Sequence, residues 1–150
     1  MNETTDWYDV ERLHDYSYRI TEAGYYHMYL LVGESEALLV DTGVRVGDLH
    51  GLVHDLVDTP VRVLLTHSHW DHIGNAHQFD SVAISHRECP NDGRVGVDTL
   101  DDVFGERIPD ALAELASEGI EYPPSFDPET HTIPPAEDVR AVGPGDTFDL

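Results

Sequence analysis

The sequence contains no lysine and a single cysteine, Cys89, among its 150 residues. One cysteine excludes an internal disulfide framework and a cysteine-rich zinc finger. We expect Cys89 to be a small, half-buried side chain rather than a metal ligand or a nucleophile. No apolar run is long enough to cross a bilayer, and no basic stretch precedes an apolar run near the N-terminus. We therefore expect a soluble, cytoplasmic protein that has no membrane partner.

Positive charge is also scarce, because eight arginines oppose 30 acidic residues and leave a net charge of −22. Such a chain repels itself at low salt, which destabilises the compact state. At molar salt the Debye length falls to about 3 Å, so the repulsion is screened. We interpret the acidity as an adaptation to the salty cytoplasm of a halophilic organism; the alternative is an acidic protein from an ordinary cell. Nucleic acid, a polyanion, is not expected as a partner.

The hydrophobic pattern predicts a single α+β domain over residues 1–150. Residues 11–32 are rich in tyrosine and branched side chains, which predicts two β-rich runs, residues 12–20 and 25–32, joined by a hairpin connection at Thr21–Gly24. Further strands are predicted at Glu36–Val40, Val61–Thr66 and Ser81–Ser85, and helices at Gly47–Asp58, Asp71–Phe79 and Asp110–Glu118. Cys89–Gly96 and Tyr122–Pro135 are expected to be irregular, and Val139–Leu150 to form two short strands around Gly143–Gly145. The strand–helix–strand run predicts a parallel pair within a mixed sheet.

Four side chains that can bind a metal lie within six residues, directly after a predicted buried strand: His67, His69, Asp71 and His72. Imidazole nitrogen and carboxylate oxygen suit Zn²⁺, Mn²⁺ or Fe²⁺. The carboxyl ends of strands are where α/β sheets usually place their sites. At this composition the H-x-H-x-D-H pattern is expected by chance only about 0.005 times. A polar loop of surface histidines is disfavoured, because apolar residues flank the motif on both sides.

The segment VLLTHSHWDHIGN, at residues 63–75, resembles the signature metal motif of the metallo-β-lactamase superfamily. LLVDTG, at residues 38–43, resembles the first motif of that family. The resemblance covers nearly the whole chain, since the order of strand, first motif, helix, strand and metal motif also matches. It implies an αββα sandwich with the metals at one edge, of which this chain would form the N-terminal portion.

The resemblance also implies a ligand set. His67 and His69 would bind a first metal, and Asp71 and His72 a second. Asp41 would hydrogen-bond near the ligands and orient their loop, as carboxylates behind histidine ligands commonly do; the alternative is an Asx turn that ends the strand. One or two zinc ions are the expected cofactor, with Fe²⁺ or Mn²⁺ as alternatives.

The function implied by the resemblance is a metal-dependent hydrolase, in which a metal lowers the pKa of its bound water to about 7. The resulting hydroxide would attack a small ester, thioester or lactone, and Asp71 would act catalytically by ligating metal and orienting the nucleophile. Trp70 would either shape the pocket or pack beside the motif. An iron-dependent sulfur dioxygenase and a non-catalytic metal-binding fragment remain open as alternatives. His69 argues against the di-iron flavoprotein branch, which typically has glutamate there.

The later ligands of the family have no counterpart in the sequence. The third histidine of the family belongs to a G-H-T-x-G-type motif, whereas the last histidine here, His131, lies in ETHTIPP. The segment GPGDTFDL, at residues 143–150, resembles the strand pair that precedes that motif. We therefore expect a domain that is incomplete at its C-terminus, leaves apolar sheet surface exposed and binds metal weakly or partially by itself. The spare histidines are expected at the surface or in the core: His27, His77, His86 and His131.

Overall fold

The computed structural model describes residues 6–150, and seven of the nine strands found there form one mixed sheet. The strands are β1 (Tyr8–His14), β2 (Ser17–Glu22), β3 (Tyr26–Val32), β4 (Ala37–Val40), β5 (Val61–Leu65), β6 (Val82–Ser85), β7 (Val95–Val97), β8 (Ile133–Ala136) and β9 (Arg140–Val142). The helices are α1 (Leu49–Leu56), α2 (Trp70–Ile73) and α3 (Ile108–Ser117). Sheet order is β1-β2-β3-β4-β5-β6-β9, and β7 pairs with β8 separately. The predicted α+β class is confirmed.

The first four strands form an antiparallel meander. The expected hairpin connection is present, with Ala23 and Gly24 both at positive φ (54° and 72°) in the turn between β2 and β3. Primed hairpin turns require this left-handed conformation. The sequence analysis treated residues 12–20 as a single run, which is wrong, because the chain turns at Asp15-Tyr16 and β1 pairs back onto β2.

The second half of the sheet is parallel, as predicted for the strand–helix–strand run. α1 makes the crossover from β4 to β5 and is shorter than the predicted Gly47–Asp58. The carboxylate of Asp48 accepts a hydrogen bond from the backbone N–H of Gly51 at 2.9 Å and caps the helix N-terminus. The buried face of α1 consists of Leu49, Leu52 and Val53.

Three other predicted boundaries differ from the structure. The helix predicted at Asp71–Phe79 is two pieces, α2 and a 3-10 turn at Ala76–Gln78, because the N–H of Gly74 bonds the carbonyl of Gly43 instead of continuing the helix. The segments predicted as irregular contribute β7 and β8, which pair only with each other. Residues 139–150 form β9 alone within the described chain, because a turn follows in which the Gly143 N–H donates to Asp146.

The core lies between the helices and one face of the sheet, which buries Ile20, Met28, Leu30, Leu39, Val63 and Leu65. On the opposite face Tyr29 and Leu31 are 40% and 38% exposed. This face of the sheet therefore carries large apolar side chains that are partly open to solvent. No helix among residues 6–150 has the length and apolar character needed to cross a membrane. The carboxyl ends of β4 and β5 meet at one sheet edge, and the predicted metal ligands follow β5 there.

Candidate metal centre

The loop after β4 forms one wall of the candidate centre. Asp41 ends the strand at positive φ (63°), and its N–H donates to the carbonyl of Leu64 in β5 at 3.0 Å. The N–H of Thr42 donates to the carbonyl of His72 at 2.8 Å. These two bonds fix the β4 exit to both ends of the histidine motif.

Close packing explains the glycine that follows the motif. The N–H of Gly74 donates to the carbonyl of Gly43 at 2.8 Å, and a Cβ at Gly74 would lie 2.5 Å from the carbonyl carbon of Val44. The side chain of Asn75, fully buried, donates to the carbonyl of Thr42 at 2.7 Å. Only glycine therefore allows α2 to approach the β4 loop this closely.

The buried side chain of Glu22, at the end of β2, supports the loop after β4. Glu22 is fully buried and accepts hydrogen bonds from the N–H groups of Val44 at 2.6 Å and Val46 at 3.2 Å, and from the indole of Trp7 at 2.8 Å. Burial raises the pKa of Glu22, and these three donors offset part of that rise. The sequence analysis did not identify Glu22, because a lone glutamate at a strand end carries no local signal.

Asp41 connects the β4 loop to two motif residues. Its Oδ1 accepts from the backbone N–H of Thr66 at 2.8 Å, and its Oδ2 lies 2.8 Å from Nδ1 of His72. Burial lowers the pKa of His72, but the carboxylates of Asp41 and Asp71 outweigh burial and raise it above its usual value. The Nδ1 of His72 is thus engaged by Asp41, and Nε2 is the nitrogen left on the other side of the ring.

A threonine hydroxyl engages His67 in a similar way. Oγ1 of Thr66 lies 2.9 Å from Nδ1 of His67 and 2.8 Å from Oδ2 of Asp41. The rings of His67 and His72 are 4.2 Å apart between centroids. Two of the motif histidines therefore have Nδ1 engaged by neighbouring oxygens and lie side by side.

His69 lies between three carboxylates. Its Nδ1 is 2.8 Å from Oδ1 of Asp71. Its Nε2 is 2.7 Å from Oδ2 of Asp102 and 3.1 Å from Oε2 of Glu106. Asp102 and Glu106 were not predicted from the sequence, because they lie 30 and 34 residues after His72 in a segment without a recognisable pattern.

The donor atoms of His67, His69 and Asp71 lie within 4.8 Å of one another, a spacing at which one divalent ion can bind all three. Oδ1 of Asp71 is buried and accepts no hydrogen bond, as expected of a ligand atom. His72 is adjacent, with Nε2 3.6 Å from Oδ2 of Asp71. A second group that meets the same spacing consists of His69, Asp102 and Glu106.

Two further residues support the motif loop. The N–H and hydroxyl of Ser68 donate to Glu88 at 2.9 and 2.7 Å, and these bonds hold the pKa of that carboxyl below its usual value. Trp70 is 2% exposed, and its indole N–H donates to Glu106 at 2.9 Å. Of the two roles considered for Trp70, the structure favours packing.

The spare histidines do not join the centre. His27 and His86 are exposed, and His77 is half-buried. His131 is 5% exposed, and burial together with the nearby charge of Arg45 lowers its pKa to about 4. Cys89 is a free, half-buried thiol, as expected.

A shallow groove runs beside His69 and Asp71, along the N-terminal end of β3 and the outer side of α3. Its walls include Tyr25, Tyr26, Trp70, Glu106, Leu115 and Glu118. Burial, followed by the charge of Asp71, raises the pKa of Tyr26, so its hydroxyl stays protonated at neutral pH. The groove therefore combines aromatic surface with acidic side chains next to the candidate ligands.

Comparison with curated proteins finds the human and bovine (Homo sapiens and Bos taurus) acyl-coenzyme A thioesterase MBLAC2. Each is 30% identical over 101 residues, which is 56% of this chain and 36% of the relative. The chain thus spans about a third of the length of these relatives.

Among solved structures, the DIM-1 metallo-beta-lactamase exposed to ceftazidime matches with a TM-score of 0.45 and 15% identity, covering 55% of this chain and 44% of that one. The VMB-1 structure at pH 5.5 matches with a TM-score of 0.40 and 13% identity, with the same coverage. The family model of the metallo-beta-lactamase superfamily matches residues 21–148. This chain therefore belongs to the metallo-beta-lactamase superfamily.

Proposed function

We propose that the protein is a divalent-metal-dependent hydrolase whose metal ligands are His67, His69, Asp71 and His72. The supporting observation is the orientation of the three imidazoles. Nδ1 of His67 and Nδ1 of His72 lie beside oxygens of Thr66 and Asp41, and Nε2 of His72 lies on the side of Asp71. In His69, Nε2 lies beside Asp102 and Nδ1 lies beside Asp71. An imidazole ligand usually donates its second N–H to an oxygen in this way.

Zinc is the ion that we propose, with iron and manganese as alternatives, because the donor set is three imidazoles and a carboxylate. A bound ion would acidify a coordinated water and polarise a carbonyl oxygen. Asp71 combines two tasks in this proposal. Its unpaired Oδ1 is available as a ligand, and its Oδ2, on the side of His72, can accept a proton and orient the attacking water.

The proposed substrate is a small ester, thioester or lactone. The thioesterase relatives favour a thioester among these. Tyr25 and Tyr26 give the groove an aromatic surface for an acyl group, whereas Glu106 and Glu118 disfavour an anionic substituent at that point. We also propose that residues 1–150 act as one domain and that the protein works in a salt-rich cytoplasm, where its net charge of −22 is screened.

Metal titration followed by a substrate panel tests this proposal. The chain is titrated with zinc, iron(II) and manganese, and each loaded form is assayed on thioesters, lactones and phosphodiesters. We expect zinc to bind, and thioester or lactone hydrolysis to depend on it. His27→Ala, which changes an exposed histidine that pairs with Thr21 and not with any motif residue, is the matched control and should behave as the wild type. Absence of zinc binding, or oxygen uptake by the iron form without any hydrolysis, contradicts the proposal.

A further inference from the structure

The segment between β7 and α3, residues 98–107 and hereafter the 98–107 loop, brings two carboxylates to His69 from outside the metal motif. Oδ2 of Asp102 and Oε2 of Glu106 lie 2.7 and 3.1 Å from Nε2 of His69. We propose that Asp102 and Glu106 are positioning residues, which hold the Nε2–H of His69 and so turn its Nδ1 toward the metal. This inference rests on the function proposed above and adds two residues to the site.

The 98–107 loop is built around the side chain of Asp102, which is completely buried. Its Oδ1 accepts hydrogen bonds from the backbone N–H groups of Phe104 and Glu106, both at 2.8 Å. These bonds fix the plane of the carboxylate and leave Oδ2 facing His69. Oδ2 accepts no hydrogen bond of good alignment, although it lies only 2.7 Å from Nε2 of His69. A buried carboxylate oxygen without another partner is expected to accept the imidazole N–H.

Glu106 is held in place by the motif itself. The indole N–H of Trp70, adjacent to His69 in sequence, donates to Oε2 of Glu106 at 2.9 Å. Trp70 is 2% exposed and packs edge-on against Tyr26, so this donor has a fixed position. The same oxygen therefore faces Trp70 and Nε2 of His69 together.

His69 needs such support because it uses the opposite nitrogen from its neighbours. Thr66 and Asp41 engage Nδ1 of His67 and His72, whereas His69 has Nδ1 beside Asp71. A neutral imidazole carries a lone pair on one nitrogen and a proton on the other. An acceptor at Nε2 selects the form whose lone pair is on Nδ1, and among the described residues that acceptor comes from the 98–107 loop.

The alternative is that Asp102 and Glu106 bind a metal themselves, since they form a group with His69 whose donor atoms lie within 4.8 Å. The structure favours the positioning role for two reasons. Oε2 of Glu106 already accepts from Trp70, and the Nδ1 side of His69 offers the imidazole of His67 in addition to Asp71. Nitrogen ligands strengthen a zinc site relative to carboxylates alone.

The decisive variant is Asp102→Asn. An asparagine whose oxygen accepts from Phe104 and Glu106 places its NH₂ group against the N–H of His69, so two donors face each other. We expect zinc affinity to fall about 10- to 100-fold, the loss typical of a group that orients a histidine ligand. Asp101→Asn is the matched control, because it removes the same charge from an exposed neighbour in the loop, and it should leave the affinity unchanged. Glu106→Gln, at a side chain that is 45% exposed, should give a smaller loss without a buried mismatch.

NMR of the zinc-loaded chain with isotope-labelled histidine provides a second readout. In the wild type the Nε2–H of His69 should exchange slowly with water. Asp102→Asn should speed that exchange and leave the ring proton of His72, which Asp41 engages, unchanged. A general loss of structure would affect both rings alike.

The outcomes separate the two proposals. If the wild type binds no zinc, the proposed function fails. If it binds zinc and both Asp102→Asn and Glu106→Gln match it in affinity and exchange, the positioning role is wrong while the function stands. If zinc affinity survives the double variant His67→Ala/Asp71→Ala but is abolished by Asp102→Asn, the acidic pair is a metal site in its own right and the positioning role is again wrong.

Discussion

Two loops flank the histidine motif, and they support it in different ways. The β4 loop, residues 41–46, is almost entirely interior: Asp41 is 5% exposed and Thr42 is fully buried. The 98–107 loop presents Val103 and Phe104 to solvent at 57% and 65% exposure, and among its residues Asp102 is buried in full. The β4 loop belongs largely to the core, whereas the 98–107 loop is a surface segment that reaches the motif through the carboxylates of Asp102 and Glu106. The two loops therefore differ in burial: the β4 loop supports the motif from the core, and the 98–107 loop supports it from the surface.

The largest effect should come from removing His69, which lies between Asp71 of the motif and Asp102 of the 98–107 loop. His69→Ala deletes the ring that faces Asp71 through one nitrogen and Asp102 through the other. We expect zinc affinity to fall at least about 1,000-fold, or roughly 4 kcal/mol of binding free energy. Isothermal titration against His27→Ala measures this. A loss below tenfold would show that His69 is not a ligand.

Lowering the pH should reduce the stability of the fold through His131, which lies near the β4 loop. His131, behind Arg45 of the β4 loop, has its pKa lowered from 6.5 to about 4 by burial and by that arginine. Between these values the unfolded chain takes up a proton that the native chain does not, so stability present above pH 6.5 is lost as the pH falls toward 4. The loss attributable to this group is at most about 3 kcal/mol.

His131→Gln should remove that part of the acid sensitivity, because glutamine does not titrate. Urea unfolding at a series of pH values is the measurement, and the difference between the two proteins should grow only below pH 6.5. Parallel curves throughout that range would contradict the assignment.

A pair of glycine variants compares the two loops directly. Gly74→Ala forces a methyl group into the backbone of Val44, so we expect a loss of about 2–3 kcal/mol of unfolding free energy. Gly105→Ala in the 98–107 loop meets nothing within 4 Å and bears only the strain of its positive φ of 80°, about 1 kcal/mol. Thermal or urea unfolding of both variants gives the comparison. Equal losses would mean that the β4 loop is less tightly packed than the structure indicates.

The smallest effect is expected at the surface end of the 98–107 loop. Arg107 pairs with Asp110 at 2.7 Å and Glu129 at 2.8 Å, and its side chain is 40% exposed. Solvent-exposed pairs of this kind contribute little to stability, and salt screens them. Arg107→Gln should therefore lower stability slightly in dilute buffer and not at all in molar potassium chloride. A loss that persists in high salt would point to a packing role.

The parts predictable from the sequence were those with a local pattern. The H-x-H-x-D-H spacing and the buried strand before it located the candidate ligands, and the family model match at residues 21–148 confirms the superfamily. The stripe of leucine and valine in α1 and its crossover gave the parallel pair β4–β5. These features need only neighbours within one or two turns of the chain, which is why periodicity identifies them.

What could not be predicted depends on contacts between distant residues. Asp102, Glu106 and Glu22 matter through partners 15 to 37 residues away, and no spacing rule links them to those partners. The split of the predicted Asp71–Phe79 helix has the same origin, since Gly74 bonds Gly43 rather than a helical neighbour. The sequence also predicted one run at residues 12–20 where the structure has two strands, because the turn at Asp15-Tyr16 carries neither glycine nor proline.

The buried carboxylate of Glu22 has a consequence for how the centre assembles. Left-handed conformations at Gly43 and Arg45 direct the N–H groups of Val44 and Val46 into one concavity, an arrangement that binds anions. The carboxyl group of Glu22, at the end of β2, fills that concavity. Until the hairpin of β2 and β3 has formed, those amides lack their partner, so pulse-labelled hydrogen exchange should find them protected no earlier than the amides of β2. We therefore expect the β4 loop to become ordered no earlier than the hairpin that supplies Glu22.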